Sequence, residues 1–445
     1  MFDRSRGRSR LRVLVVGLGL VIAACAPQTS VSPQSSAASA TAAPSAAPEP
    51  VTITFANWAS AETATKDGIT KTIEAFQKAN PTITVKSVPI AFSDIGRQLL
   101  LQNASGNLPD VAEIAGNDGI ALAEANALEP LEQLLSKDFQ GSLLPSLMEL
   151  GRYKGQFELV PWTSTPFGFW YNRTLMAQAG LDPNSPPKTI DQLRSAMAAI
   201  RAKLPDVIPL GWDTTNRSFG LDYNWPLMRT FGAEPIADGK AKADTAEMRA
   251  YLDFVRELVI KGDTVPNQKL GYFRPLAAQA KVVFTFDGPY LQGTMQATNK
   301  MSDADLFKTW GVTALPGLSG KAFSSPSDHQ VVIFKASKQK AAAAKFVEWL
   351  VASKESIDGY TIPVESSLPP IKDGAAKFDK LNTPVFKAFL SDVVPTVVRP
   401  PWGSAYSSGF STIMAGVQRA ISTNDSTAQI ASDMQAELTR KLVGN

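Results

Sequence analysis

The chain has 445 residues, 44 Lys and Arg against 41 Asp and Glu, a formal net charge of +3, one Cys and one His. A single Cys excludes disulfides within the chain, and a single His excludes every zinc site that needs two. The positive balance sits at the start, where Arg4, Arg6, Arg8, Arg10 and Arg12 face one acid, Asp3; residues 25–445 hold 39 basic against 40 acidic side chains. A near-neutral body gives no charge argument for nucleic acid or an anionic membrane surface as partner.

An uncharged apolar run from Val13 to Ile22 follows the arginines, the layout of a secretory signal peptide. It is about half the roughly 20 residues a spanning helix needs, so no permanent transmembrane anchor is expected. Ile22-Ala23-Ala24-Cys25 resembles the bacterial lipobox, which predicts removal of residues 1–24 and a lipid on Cys25. From Ala26 to Pro50 the sequence is almost wholly Ala, Ser, Thr, Pro and Gln, too poor in apolar surface to offset ordering entropy. Residues 25–50 therefore read as a disordered tether. It would hold a globular body on the outer face of the cytoplasmic membrane, at the cell surface or in a periplasm.

The body opens with Val51 to Ala56, alternating and β-branched, a predicted strand. Ile69, Ile73 and Phe76 then mark a helix face stopped by Asn80-Pro81, Thr82 to Val88 a second strand, Ile95 to Asn103 a second helix, and Asp110 to Ala115 a third strand. The alternation resumes with a strand at Phe167 to Tyr171, a helix at Ile190 to Lys203 with Thr189 and Gln192 at capping-box spacing, and a strand at Val207 to Leu210. Helices follow at 247–261, 341–350, 378–390, 412–421 and 427–442. No period of 20 to 50 residues recurs, so a solenoid or propeller is not expected. Alternating strands and helices predict an α/β fold with mostly parallel sheets and core enough for two domains.

The motifs of catalysis are missing. There is no G-x-S-x-G elbow, P-loop or complete EF-hand loop. A triad could be built only on His329, whose neighbours Ser327 and Asp328 lie too close in sequence to be the usual partners. The expectation is a binding protein, with no metal and no cofactor. Carboxylates are plentiful, so a carbohydrate-active enzyme at the cell surface stays open as the alternative from another class.

Ile53-Thr-Phe-Ala-Asn-Trp58 and Phe76-Gln-Lys-Ala-Asn-Pro81 are similar to the opening of the extracellular solute-binding proteins of sugar ABC importers, the group that includes maltose-binding protein. Gly106-Asn-Leu-Pro-Asp-Val111, Tyr153-Lys-Gly155, Trp170-Tyr-Asn172, Asp287-Gly-Pro-Tyr290 and Ile362-Pro-Val364 continue the resemblance in the family's order, to nearly the end of the chain. The resemblance implies a two-lobed periplasmic-binding-protein-like fold, with a hinge of crossing segments and a ligand cleft between the lobes. By analogy the crossings fall near Glu158 to Trp162, Lys308 to Gly311 and Ser353 to Gly359. One lobe would then be 51–160 plus 310–353, the other 161–309 plus 354–445. It further implies a monomer that takes an oligosaccharide or other neutral carbohydrate, or else a polyol or polyamine, to the permease subunits of an ABC importer.

Sugar clefts set aromatic faces against ring C–H groups and planar polar groups against hydroxyls, and α/β sheets place ligands beyond the carboxyl ends of their strands. Four tryptophans meet both conditions in the sequence. Trp58 follows the first strand beside Asn57 and Ser60, Trp162 stands just past the first crossing, Trp212 ends a strand, and Trp402 lies in Arg399-Pro-Pro-Trp-Gly403. The family's pattern adds Asn117, Asp118, Tyr171 and Tyr290. Asp287, with Asp328 and His329, falls in loops expected at the cleft. Each aromatic taken singly fits a core position as well, and Trp349 sits in a helix stripe that reads as core.

Overall fold

The computed structural model describes residues 49–318 and 321–442. The expected signal peptide, Cys25 and nearly all of the tether lie outside the described residues. Two sheets organise the rest. In the first, β1 (Val51–Asn57) lies between β2 (Ile83–Pro89) and β3 (Val111–Ala115), parallel to both. Ile53 and Phe55 of β1 are fully buried, as the alternation predicted. α1 (Lys66–Ala79) buries Ile69, Ile73 and Phe76 on one face, and α2 (Phe92–Ser105) ends at Gly106, whose φ of 72° is a left-handed helix stop. α3 (Gly116–Glu124) leaves β3 directly.

β4 (Leu159–Ser164) closes this sheet at its far edge. The chain then enters the second sheet, built from β5 (Gly168–Asn172), β6 (Ile208–Gly211), β7 (Val282–Asp287) and β8 (Trp310–Thr313) in the order β8-β5-β7-β6. Between these strands run α4 (Ile190–Lys203), α5 (Ser218–Thr230), α6 (Ala246–Ile260) and α7 (Leu270–Ala278). Thr189 caps α4 as expected, its hydroxyl accepting from the Gln192 N–H at 3.2 Å, but the return bond lies one residue early, the Gln192 amide oxygen accepting from the N–H of Lys188 at 2.8 Å. β9 (Asp328–Ile333) returns to the first sheet, between β3 and β4 and antiparallel to each, and α8 (Lys340–Ala352) covers it. α9 (Ala405–Ser422) and α10 (Thr427–Leu442) finish the second lobe against α6.

Three sequence expectations change. The sheets are mixed: of the seven strand pairings in them, three are parallel and four antiparallel. β9 arrives from the other lobe and enters its sheet from the opposite end, which a simple βαβ count misses. β8 pairs with β5, so the chain leaves the second sheet after Thr313 and not at 308–311, and Leu368 and Ile371 still bridge to the first lobe at Ser164 and Leu143. The helix expected at 378–390 breaks at Thr383-Pro384. Thr383 caps a new turn there by accepting from the Phe386 N–H, and proline takes the first helical position because it has no N–H to lose.

The lobes are not joined by linkers alone. One continuous core runs from Phe55 and Phe346 through Trp162 to Trp170 and Phe389, while a second fills the other lobe around Phe169, Trp212 and Tyr251. Trp349 is only half-buried, its ring 5.5 Å from Phe76, so it flanks the first core.

Candidate functional site

The cleft follows from strand direction. β1 and β3 end at the same edge of the first sheet, and antiparallel β9 begins there, with His329 opposite Ala115. The first residues past each end therefore converge, as the carboxyl-end rule requires. They face α5 of the second lobe across a cavity of about 360 Å³. Trp58, Phe92, Asn117 and His329 form one wall; Phe219 and Asp222 form the other; Arg399 and Pro400 cross at the side, and Glu62 and Glu365 sit at the rim.

Trp58 is held by its own backbone. The N–H groups of Trp58 and Ala59 donate to one oxygen of Glu113 at 3.1 and 3.2 Å, and the Asn57 side chain accepts from the Ser60 N–H at 2.7 Å while donating to Phe55 and Ser87. With the loop fixed, the indole stands edge-on to Phe92 at 5.2 Å and to His329 at 4.8 Å. Such geometry costs little entropy on binding, because the platform is already in place.

Carboxylates dominate the electrostatics. Desolvation raises the pKa of Glu62, and the charge of Glu365 adds to it while His329 opposes. Burial pushes Asp222 up to about 6; the Tyr406 hydroxyl bound to it and Arg399 act downward, and Asp328 and Asp118 upward. For His329 burial alone would lower the pKa. Glu113, whose carboxylate lies 3.1 Å from Nδ1, outweighs it with Glu365 and Asp328, so the imidazole titrates above its ordinary range. Arg399 is almost buried between an ion pair to Asp328 at 2.8 Å and the carbonyl of Leu150 at 2.7 Å.

Of the residues expected at a site, Trp58 and Asn117 line the cavity, as do Asp328 and His329. Asp118 lies just behind the wall, packed on Gly96 and electrostatically coupled to Asp222. Trp402 lines an adjoining cavity of about 630 Å³ that shares Arg399 and Pro400 with the first. The others are not in the cavity wall. Trp162 is fully buried, stacked 5.4 Å from Tyr360 in the first core. Trp212 donates its indole N–H to Asn224 inside the second core. The Tyr171 hydroxyl accepts from Arg173, and its ring covers Gly311. Asp287 is paired twice with Arg274, at 2.9 and 3.0 Å, and the Arg274 guanidinium lies over the ring of Tyr290. Ser60 bonds to Ser87 and supports the Trp58 loop.

Sequence reasoning missed Glu62, Phe92, Phe219, Asp222, Glu365 and Arg399. Phe92 was within reach of the strand-end rule, since it stands just beyond β2. Arg399 was inside a segment already singled out for Trp402. Phe219 and Asp222 share one turn of α5 at a spacing of three, a signal too common to act on alone. Glu365 carries no local signal.

A model of the bacterial extracellular solute-binding protein family matches residues 59–356. The chain is 26% identical over 350 residues to the maltotriose-binding protein of Pyrococcus abyssi, covering 74% of this chain and 68% of that one. It is 27% identical over 230 residues to a periplasmic-binding protein of an ABC transporter in Escherichia coli, where the match spans 49% of this chain and half of the relative. Among solved structures, the sugar-binding protein MalE of Xanthomonas citri superposes with a TM-score of 0.77 at 20% identity, over 88% of this chain and 98% of that one. The cyclic alpha-maltosyl-1,6-maltose binding protein of Arthrobacter globiformis gives 0.74 at 19%, over 89% and 100%. These likenesses establish the two-lobed α/β fold with its cleft, and the match to the family model, over more than half of the sequence, establishes that the chain belongs to the bacterial extracellular solute-binding proteins.

Proposed function

We propose that this protein is the substrate-binding component of an ABC importer, capturing an oligosaccharide between its lobes and presenting it to membrane permease subunits. The observation that carries this reading is the cavity of about 360 Å³ walled by aromatic faces of both lobes, Trp58 and Phe92 opposite Phe219, with an amide and charged groups between them. Stacking and hydroxyl recognition are thus supplied together. Relatives named for maltotriose and maltose-type sugars support the same class. Trp58 and Asn117 are the proposed contacts from the sequence-derived set, with Asp118 and Trp402 flanking; Ser60, Trp162, Tyr171, Trp212, Asp287 and Tyr290 act as scaffold. The proposed lobes are residues 51–164 plus 328–371, and 167–313 plus 384–442. The protein would work as a monomer without a cofactor, performing no chemistry on its ligand.

Titration with mono- to tetrasaccharides while following Trp fluorescence tests the reading. A saturable change is expected, with Kd in the roughly micromolar range or tighter, about 8 kcal/mol or more, and the sugar recovered intact. Absence of binding across the panel, or conversion of the sugar to product, would contradict it. The proposed membrane attachment rests on Ile22-Ala23-Ala24-Cys25. Intact-mass analysis of protein extracted from membranes should show a chain starting at a lipidated Cys25; a free thiol there would remove the anchor.

A further inference from the structure

The cavity is charged in a way a neutral sugar does not call for. Four carboxylates line it, those of Glu62, Asp222, Asp328 and Glu365, against two basic groups, Arg399 and His329. Both basic groups are already engaged. Arg399 pairs with Asp328 at 2.8 Å, the two side chains 8% and 5% exposed, and His329 pairs at 3.1 Å with Glu113 beneath it. Glu62, Asp222 and Glu365 also face the cavity: Glu365 accepts from the Tyr360 hydroxyl at 2.7 Å and lies 4.0 Å from His329, which it shares with Glu113, and Asp222 accepts from the Tyr406 hydroxyl, so the carboxylates outnumber the cations. Glu62 comes from the loop after β1, Glu365 from the segment after Ile362, and Asp222 from α5 in the opposite lobe.

Two further observations point the same way. Glu113 is wholly buried directly behind His329, whose Nδ1 lies 3.1 Å from its Oε1, so the imidazole's charge is spent on Glu113 and the carboxylates of this wall outnumber its cations. The cavity's aromatic faces, Trp58, Phe92 and Phe219, suit a ring that bears a cation better than they suit an anion. A metal ion is not the fitting occupant. Among the described residues no three His, Cys, Asp or Glu side chains are grouped to hold one. What fits is an organic cation of sugar size.

We propose that the saccharide this protein captures carries a protonated amine, its ammonium serving as the shared countercharge of Glu62, Glu365 and Asp222 when the lobes close. This rests on the saccharide-binding reading above and narrows it. Closure over a neutral sugar takes three carboxylates out of water with hydroxyls and one shared imidazole as their partners, too little positive charge for three buried anions, whereas an ammonium adds a cation. The protonation behaviour agrees. Burial already holds Asp222 at about 6 and Glu62 above its usual range, so protonation of Asp222 as the pH falls through about 6 removes one of the charges the amine needs. The groups facing Asp222 are the Tyr406 hydroxyl from α9, Asp328 from β9, Arg399 and Asp118; those facing Glu62 are Glu365 and His329.

Calorimetric titration of the whole protein with di- and trisaccharides of glucosamine, N-acetylglucosamine and glucose, in matched α- and β-1,4 linkages, tests the proposal. At pH 7 the free amine should bind about tenfold or more tighter than the neutral sugar of the same linkage, a difference of about 1.4 kcal/mol or more. That advantage should shrink about tenfold at pH 5. Asp222→Asn and Glu365→Gln, each shown to keep the parent's fold by circular dichroism, should each narrow the ratio of amine to neutral-sugar affinity to below about threefold; a ratio that stays at about tenfold in both would overturn the amine's pairing with these carboxylates. Neutral sugars binding as tightly as amino sugars, with no pH dependence, would overturn the amine while leaving the saccharide reading in place. Binding by no saccharide in any series would overturn both. Capture of spermidine in place of sugars would also overturn both, with the aromatics then serving a plain polyamine.

Discussion

A carboxylate is stable out of water where donors and cations meet its oxygens, and Glu113 and Asp222 meet that condition unequally. Glu113 receives two backbone N–H groups and an imidazole, and thereby shapes the Trp58 loop. Asp222 has one hydroxyl, which does not offset its burial and the charges of Asp328 and Asp118, so its pKa rises from 3.8 to about 6. With the folded pKa above the unfolded one, protonation stabilises the fold fully below about pH 4, and that contribution is lost as the pH rises through about 6. Two units correspond to at most about 3 kcal/mol. Asp222→Asn is therefore expected to be more stable than the parent at pH 7, with the difference closing by pH 4, as read by denaturant unfolding at both pH values. A pH-independent difference would argue that Asp222 ionises freely. The same scale explains which aromatics could be read from sequence. Trp58 and Trp212 follow strands, Trp402 lies in a polar turn and Trp162 stands within β4, but residue order does not say where an indole turns. Trp212 and Trp402 turn inward to Asn224 and Glu234, acceptors 12 and 168 residues away, partners that only the folded chain brings near.

Elements were the most legible level, because their signals are local. Ile69, Ile73 and Phe76 give the buried face of α1 and Thr189 and Gln192 the start of α4, while α2 runs two residues beyond the expected Asn103 and stops at Gly106. Gly106 offers a clean check. A Cβ added there meets nothing within 4 Å, so Gly106→Ala probes backbone conformation alone at φ 72°. A loss of about 1 kcal/mol is expected, measurable as a lower melting temperature with unchanged ligand affinity; no loss would mean the helix stop does not need the left-handed conformation. Strand direction was less legible than strand position. β9 lies antiparallel between β3 and β4, set by how the chain re-enters the lobe, and nothing in Val331, Val332 and Ile333 themselves encodes that choice. Pro384 was a visible breaker within the helix expected at 378–390, and its weight was set too low against the apolar spacing around it.

At the scale of the whole molecule, two mixed sheets share a core, and the edge of the first sheet faces α5 of the second lobe across a common cavity. The two-lobed plan was legible from the order of weak landmarks along the chain; the places where the chain passes between sheets were not, since they depend on pairings such as Trp310 with Asn172 that span more than a hundred residues. The shared core from Phe55 to Phe389 also implies that any closing motion is a pivot about packed side chains and not a free swing. The central claim is that ligand is held by both lobes at once. Calorimetric titration of the tightest-binding saccharide against Trp58→Ala in the first lobe and Phe219→Ala in the second tests it most directly. Each variant should lose about 2 kcal/mol of affinity or more, as a desolvated anchor does. If one variant binds as the parent does while the other loses binding, the ligand sits on a single lobe and the account is contradicted.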